Sequence, residues 1–405
     1  MFQRLRHWLS PRPRPEDLHA EMERLRQKVP VPVFWLLGKT QSGKTSLIKF
    51  LTGASDADIG EGFRPCTRFS REYDFPSADE TLLTFLDTRG LDEPGYDAAE
   101  DLAQFSNRAH VLVVTAKALD HAQENVLRHL HTIRRAAPQR PVVLVLTCLH
   151  EGYPQQQHPD VYPYGTPREA ELVPEDLRRS LAAQKERFAG LADHVVPVDL
   201  TRPDEGYIQP HFGGEALQKE LLAVLPAAYR QTFIAVEEAS RGLEGVYARK
   251  ALPYIVFYSV LAATAGAFPI PWVDLLVLPG IQTRMINHLA TLYGQPFRAQ
   301  HFAEMAGTLG LGLLMRQGVR ELMKFIPYVG SVAAAALAGA STFALGKAAC
   351  FYYSRVQKGH APTPDELRHY YRDQLARVEG SWKAMAAPPD APPPGTSSAP
   401  APGTT

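Results

Sequence analysis

Nine consecutive residues, Gly38-Lys39-Thr40-Gln41-Ser42-Gly43-Lys44-Thr45-Ser46, have the types and order needed to hold a polyphosphate. They follow the apolar run Val31-Pro32-Val33-Phe34-Trp35-Leu36-Leu37 and lead into a helical apolar pattern from Thr45 through Leu51. A strand, the spacing G-x-x-x-x-G-K-[ST] and a helix in that order read as a phosphate-binding loop. Gly38 and Gly43 let the chain curl so that successive main-chain amides face phosphate oxygens, and the helix N-terminus adds partial positive charge. Lys44 then reaches the β- and γ-phosphates, and the Thr45 hydroxyl suits Mg²⁺.

A second group of chemically apt residues is Asp87-Thr88-Arg89-Gly90, at the end of the buried run Leu83-Thr84-Phe85-Leu86. A carboxylate at a strand end can hold the metal shell, and the Gly90 amide can bond a γ-phosphate and release it after hydrolysis. Between the two groups lies Arg64-Pro65-Cys66-Thr67, where the Thr67 hydroxyl is placed to complete the shell. Lys44, Thr67 and Gly90 are thus the catalytic candidates, and Thr45, Thr67 and Asp87 the metal candidates.

Positioning such groups takes a sheet. Apolar runs at 31–37, 69–75, 81–86, 110–115, 142–147 and 194–198 alternate with helical patterns, which predicts a parallel sheet covered by helices over residues 31–227. A Gln-, Pro- and Tyr-rich insertion spans 151–165, and loops of that length are often functional. Ahead of the sheet, residues 1–30 carry two amphipathic patterns: Phe2, Leu5, Trp8 and Leu9, then Leu18, Met22, Leu25 and Val29. From residue 228 to 385 the chain reads as helical. The windows 251–272 and 325–346 contain no charged residue and are long enough to enter a membrane, yet the first holds Pro253, Pro269 and Pro271 and the second is mostly small residues. Gly330, Ala334, Ala338 and Thr342, four apart, permit close helix approach in a membrane or in a soluble bundle alike. Thr363-Pro364-Asp365-Glu366 is a capping box that starts a last helix running to about residue 385. Residues 386–405 are Pro-, Ala- and Gly-rich and predict a disordered tail.

The chain has 405 residues, 45% of them hydrophobic, and 43 Lys+Arg balance 43 Asp+Glu. That balance offers no general field for nucleic acid, and no nucleic-acid partner is expected. Cys66, Cys148 and Cys350 are scattered and odd in number, which fits a reducing compartment. With no apolar run after the basic first residues, the expectation is cytoplasmic, with association to the inner membrane or a membrane protein left open by the helical half.

The order phosphate loop, Thr67, Asp87-x-x-Gly90 resembles the small regulatory GTPases, and the wording around Thr67 and Asp87 is most similar to the Era/TrmE-like branch. The resemblance covers about residues 31–225 and implies a Ras-like P-loop fold, GTP and Mg²⁺ as cofactors, and slow hydrolysis coupled to switching. It further implies that Gly38 through Ser46, with Asp87, Thr147, His150, Asp199 and Leu200, contact the nucleotide. Residues 271–346 are similar to an uncharacterised bacterial helical domain fused to such GTPases and regarded as membrane-associated. Three positions depart from the family. Thr147-Cys148-Leu149-His150 stands where N-K-x-D is expected, and a neutral histidine offers one acceptor where aspartate offers two. Asp199 is a candidate replacement carboxylate. Leu91 follows Gly90 in place of a water-orienting Gln, leaving an arginine such as Arg64 or Arg89, or a partner, to supply that function. Gln41 occupies the position of an Asn in potassium-stimulated relatives. The expected function is a GTP-binding switch and GTPase acting on the helical half; a nucleotide-binding scaffold with little turnover and an ATP-using enzyme are the alternatives, and the sequence leaves the oligomeric state open.

Overall fold

The structure is a computed structural model of the chain that describes residues 15–55, 59, 62–65, 70–88, 101, 104–105, 107–201, 207, 210–226, 229–230, 232, 246–267, 277–295 and 330–386. Its contacts divide it into two compact units, Val29–Phe257 and Met1–Lys28 with Tyr258–Thr405.

The first unit is an α/β domain around a sheet of seven strands in the order β2-β3-β4-β1-β5-β6-β7. The strands are β1 (Val33–Gly38), β2 (Phe63–Pro65), β3 (Ser70–Phe75), β4 (Leu83–Thr88), β5 (Val111–Lys117), β6 (Val142–Thr147) and β7 (His194–Pro197). β1 pairs in parallel with β4 and β5, β5 with β6, and β6 with β7. β2 and β3 join antiparallel, as do β3 and β4, so the sheet is mixed where the periodicity predicted a parallel one. The reason is local: no helix lies between β3 and β4 to carry the chain across, and only such a crossover lets neighbours run parallel. β2 itself was not expected, since Arg64-Pro65 reads as loop; proline is tolerated there because the strand is at the edge.

Successive residues of β1 face opposite sides, yet Phe34, Trp35, Leu36 and Leu37 are all fully buried. Both faces are therefore covered. On one side, Trp35, Leu37, Leu112, Val114, Leu144 and Leu146 lie under α3 (Glu124–Ala136) and α5 (Glu175–Arg187). The buried Val126, His129, Leu130 and Ile133 recur at helical spacing along α3 and form its covering stripe. On the other side α2 (Lys44–Thr52) lies against β1, and α6 (Gly214–Val224) against β6 and β7. The insertion is folded: Tyr153 and Tyr164 share a hydrogen bond of 2.9 Å and both are buried, while Tyr162 Oη donates to the Pro197 carbonyl. The short α4 (Glu169–Leu172) completes it.

The second unit is helical, with α1 (Pro15–Arg26), the C-terminal part of α7 (Val246–Ala267) from Tyr258 on, α8 (Leu278–Leu292), α9 (Gly330–Gln357) and α10 (Pro364–Ala386). Leu278, Ile281, Gln282, Met285, Ile286 and Leu289 form the buried face of α8. Gln282 donates 3.2 Å to the buried Thr342 hydroxyl of α9. α7 and α9 meet where a Cβ on Gly266 would stand 2.9 Å from the Ala334 carbonyl, the close approach that the small-residue spacing on α9 allows. The capping box is present, the Thr363 amide donating to Glu366 and the Glu366 amide to the Thr363 hydroxyl. Stretches Lys250–Ala267 and Ala334–Gln357 are long and apolar enough to cross a membrane, and 67% of each such window is buried within the structure. The expected N-terminal pattern at 2–9 and the tail beyond 386 lie outside the described residues.

Candidate functional site

The loop after β1 is shaped by close packing on the neighbouring strands. A Cβ at Gly38 would fall 2.3 Å from Thr115 Oγ1 and 2.5 Å from the Thr115 carbonyl, so only glycine fits between β1 and the end of β5. Gln41 and Gly43 both take left-handed conformations, φ 60° and 93°, which turn the chain back to start α2 without a side-chain cap on its amides. A helix start of this kind is where an anion is bound in phosphate-binding loops. Ser42 ties the loop down: its hydroxyl donates to the Lys39 carbonyl at 2.8 Å and lies 2.6 Å from Thr115 Oγ1, while its carbonyl accepts from Thr147 Oγ1 at 3.0 Å. Lys44 Nζ bonds the Gly38 and Lys39 carbonyls at 2.8 Å each, which arches its ammonium over the loop. Lys39 pairs with Asp120 at 2.8 Å. Burial raises the Asp120 pKa, but the bonds from Lys39 and from the Ala122 amide win and hold it below its ordinary value. Thr115 and Asp120 were not among the sequence candidates; their signal was position, at and just after the end of the strand that flanks β1.

On the β4 side, register places Asp87 opposite Leu36, two residues before Gly38. Asp87 is 9% exposed, and the next residue, Thr88, accepts a 2.8 Å bond from the buried Trp35 indole. Thr45 is exposed on the first turn of α2. A hydroxyl and a carboxylate beside an amide-lined loop are hard oxygen donors, and that set fits Mg²⁺. Among the described residues, no cluster of three His, Cys, Asp or Glu side chains competes for a metal. Thr67, Arg89, Gly90 and Leu91 lie outside the described residues. Arg64, an expected arginine in cis, pairs with Asp74 and stands 3.9 Å from Glu72 on β3.

At the β6 edge, Thr147 packs on Gly43, and Cys148 turns the chain with φ 57°. His150 and Asp199 then come together across 49 residues. The Asp199 carboxylate, 2% exposed, accepts the His150 amide at 2.7 Å and lies 2.8 and 2.9 Å from His150 Nδ1. That hydrogen bond outweighs burial and raises the His150 pKa. The carboxylate considered as a replacement for the missing aspartate is therefore bonded to the histidine that replaced it. Lys117 pairs with Glu151 at 2.9 Å, Leu200 is half-buried, and the Tyr207 ring lies 5.3 Å from that of His150.

Residues 33–148 match the family described as 50S ribosome-binding GTPase, and residues 230–380 match a domain of unknown function (DUF697). Among solved structures, a bacterial selenocysteine-specific elongation factor aligns at 21% identity over 49% of this chain and 29% of its own length, TM-score 0.29. The chain thus spans less than a third of that factor. The G domain of the T. maritima FeoB iron transporter aligns at 17% identity over 48% of this chain and 98% of that one, TM-score 0.26. The architecture and the matched segments establish a GTP-binding P-loop GTPase domain joined to a helical domain. A curated relative, magnetosome membrane protein 22 of Magnetospirillum gryphiswaldense, is 32% identical over 139 residues, which are 32% of this chain and 69% of the relative. By that coverage the chain belongs to the family of magnetosome membrane protein 22.

Proposed function

We propose that the chain is a guanine-nucleotide switch, a slow Mg²⁺-dependent GTPase whose nucleotide state acts on the helical domain and, through it, on a membrane surface or membrane protein. The observation that carries the reading is the cradle: Gly38, left-handed Gln41 and Gly43, uncapped amides of α2, and the Lys44 ammonium arched over them. Amides of the loop bind phosphate oxygens, and Lys44 moves from loop carbonyls toward the β- and γ-phosphates. Thr45 and Asp87 would hold Mg²⁺, directly or through water, and Mg²⁺ when bound supplies positive charge against the polyphosphate. Thr67 and Gly90 are proposed to gather around the terminal phosphate and to let go when it leaves, the order-to-disorder change by which such switches act. The domain limits proposed are 31–227 for the nucleotide half and 228–385 for the helical half. Membrane association is supported by the name of the relative and by the two apolar helices.

Phosphate release from GTP and ATP, with K44A as control, tests the reading. Release from GTP above that of K44A is expected; release no greater than K44A, with GTP bound, would leave a scaffold without turnover.

A further inference from the structure

The sheet indicates which way a bound nucleotide must lie. From β1 the chain builds β4, β3 and β2 on one side and β5, β6 and β7 on the other, and ligands of such sheets sit at the strand ends where the order reverses. With Mg²⁺ held by Thr45 and Asp87 as proposed above, the terminal phosphates would lie toward β4. The nucleoside then extends the other way, over the ends of β5 and β6. Of the polar side chains there, Lys117 is spent on Glu151 and Asp120 on Lys39. His150 differs. Its Nδ1 faces Asp199, which can only accept while ionised, so Nδ1 carries the proton. In the neutral ring Nε2 then keeps its lone pair; it makes no hydrogen bond among the described residues, and the side chain is 19% exposed.

Resting on the nucleotide-binding reading above, we propose that His150, with its tautomer fixed by Asp199, reads the base through a single acceptor, Nε2, and so recognises a purine by its N1–H and not by its exocyclic 2-amine. Asp199 is the positioning residue. One acceptor satisfies one donor. Guanine and hypoxanthine present the same N1–H, whereas adenine presents a lone pair at N1 and is opposed by that of Nε2. A carboxylate at position 150 would instead accept from N1–H and the 2-amine together and separate guanine from hypoxanthine. The charged and titratable groups around His150 are Asp199, Glu151, Lys117 and His158, with the Tyr207 ring alongside.

Calorimetric titration of the full chain with GTP, ITP and ATP, each with Mg²⁺ and at a pH high enough for His150 to be neutral, tests this. GTP and ITP are expected to bind within about threefold of each other, with ATP at least about tenfold weaker. H150A should weaken GTP and ITP equally and narrow the gap to ATP, and D199N should move the same ratio in the same direction. GTP bound tenfold or more tighter than ITP would overturn the inference while leaving the nucleotide site intact, as would an unchanged GTP-to-ATP ratio in a folded H150A. The wild-type ratio needs no variant and decides even where H150A does not fold. Failure of all three nucleotides to bind would overturn the site and this inference together.

Discussion

Gly38 and Gly53 stand at the two ends of the α2 segment and separate two reasons for glycine. At Gly38 the constraint is space. An added Cβ would meet Thr115 Oγ1 at 2.3 Å, the Thr115 carbonyl at 2.5 Å and Ser42 Oγ at 2.6 Å; one of these is backbone on a central strand and cannot swing aside. Overpacking of this kind costs about 1–3 kcal/mol, and breaking the buried Ser42–Thr115 bond adds about 1 kcal/mol. G38A is therefore expected to lose about 2–4 kcal/mol, divided between fold stability and GTP affinity, roughly thirtyfold to several hundredfold in the combined equilibrium. Gly53 has φ 68° and nothing within 4 Å of its added Cβ, so G53A bears only the left-handed backbone penalty, about 1 kcal/mol. Urea unfolding and GTP titration on both variants check this. G53A should lose stability and keep its GTP affinity, while G38A should lose affinity as well. A G38A protein that binds GTP like wild type, or a G53A protein that loses as much affinity, would refute the claim that the loop is shaped by Thr115.

Four further outcomes are expected. W35F removes the donor to the buried Thr88 hydroxyl beside Asp87 and should destabilise by about 1–3 kcal/mol in urea unfolding. T363A removes the cap of α10 and should cost about 1 kcal/mol in thermal unfolding, with GTP turnover unchanged. Because Asp199 raises the His150 pKa, the stabilisation from that pair is complete below the ordinary histidine value and lost as pH rises through the raised one; the stability gap between wild type and H150A should shrink over that window. GTP affinity should run oppositely, rising with pH through the same window as Nε2 regains its lone pair, and H150A should flatten that profile.

What could be read from the chain was local. The glycine and lysine spacing of the phosphate loop, the strand ending in Asp87 and the Thr363-Glu366 box each lie within a few residues, and the strands expected at 142–147 and 194–198 are close to those observed. What was missed depends on partners distant in sequence. Nothing near Arg64-Pro65 announces that it pairs with Glu72 and Arg71 as an edge strand. Nor does spacing reveal that Asp199 lies on His150, because the segments that carry them are brought together only by the pairing of β6 with β7, which sets Leu146 opposite Pro197. The aromatic packing of Tyr153, Tyr162 and Tyr164 under the insertion follows the same rule: composition gave the side chains, and tertiary structure alone gave their neighbours.

Ser42 is fastened at once to Thr115 and to Thr147, at the ends of two interior strands. The path of the loop can therefore change only when the ends of those strands separate. Such a loop takes up its ligand as a preformed mould, and most of the disorder it surrenders is surrendered during folding, before any phosphate arrives.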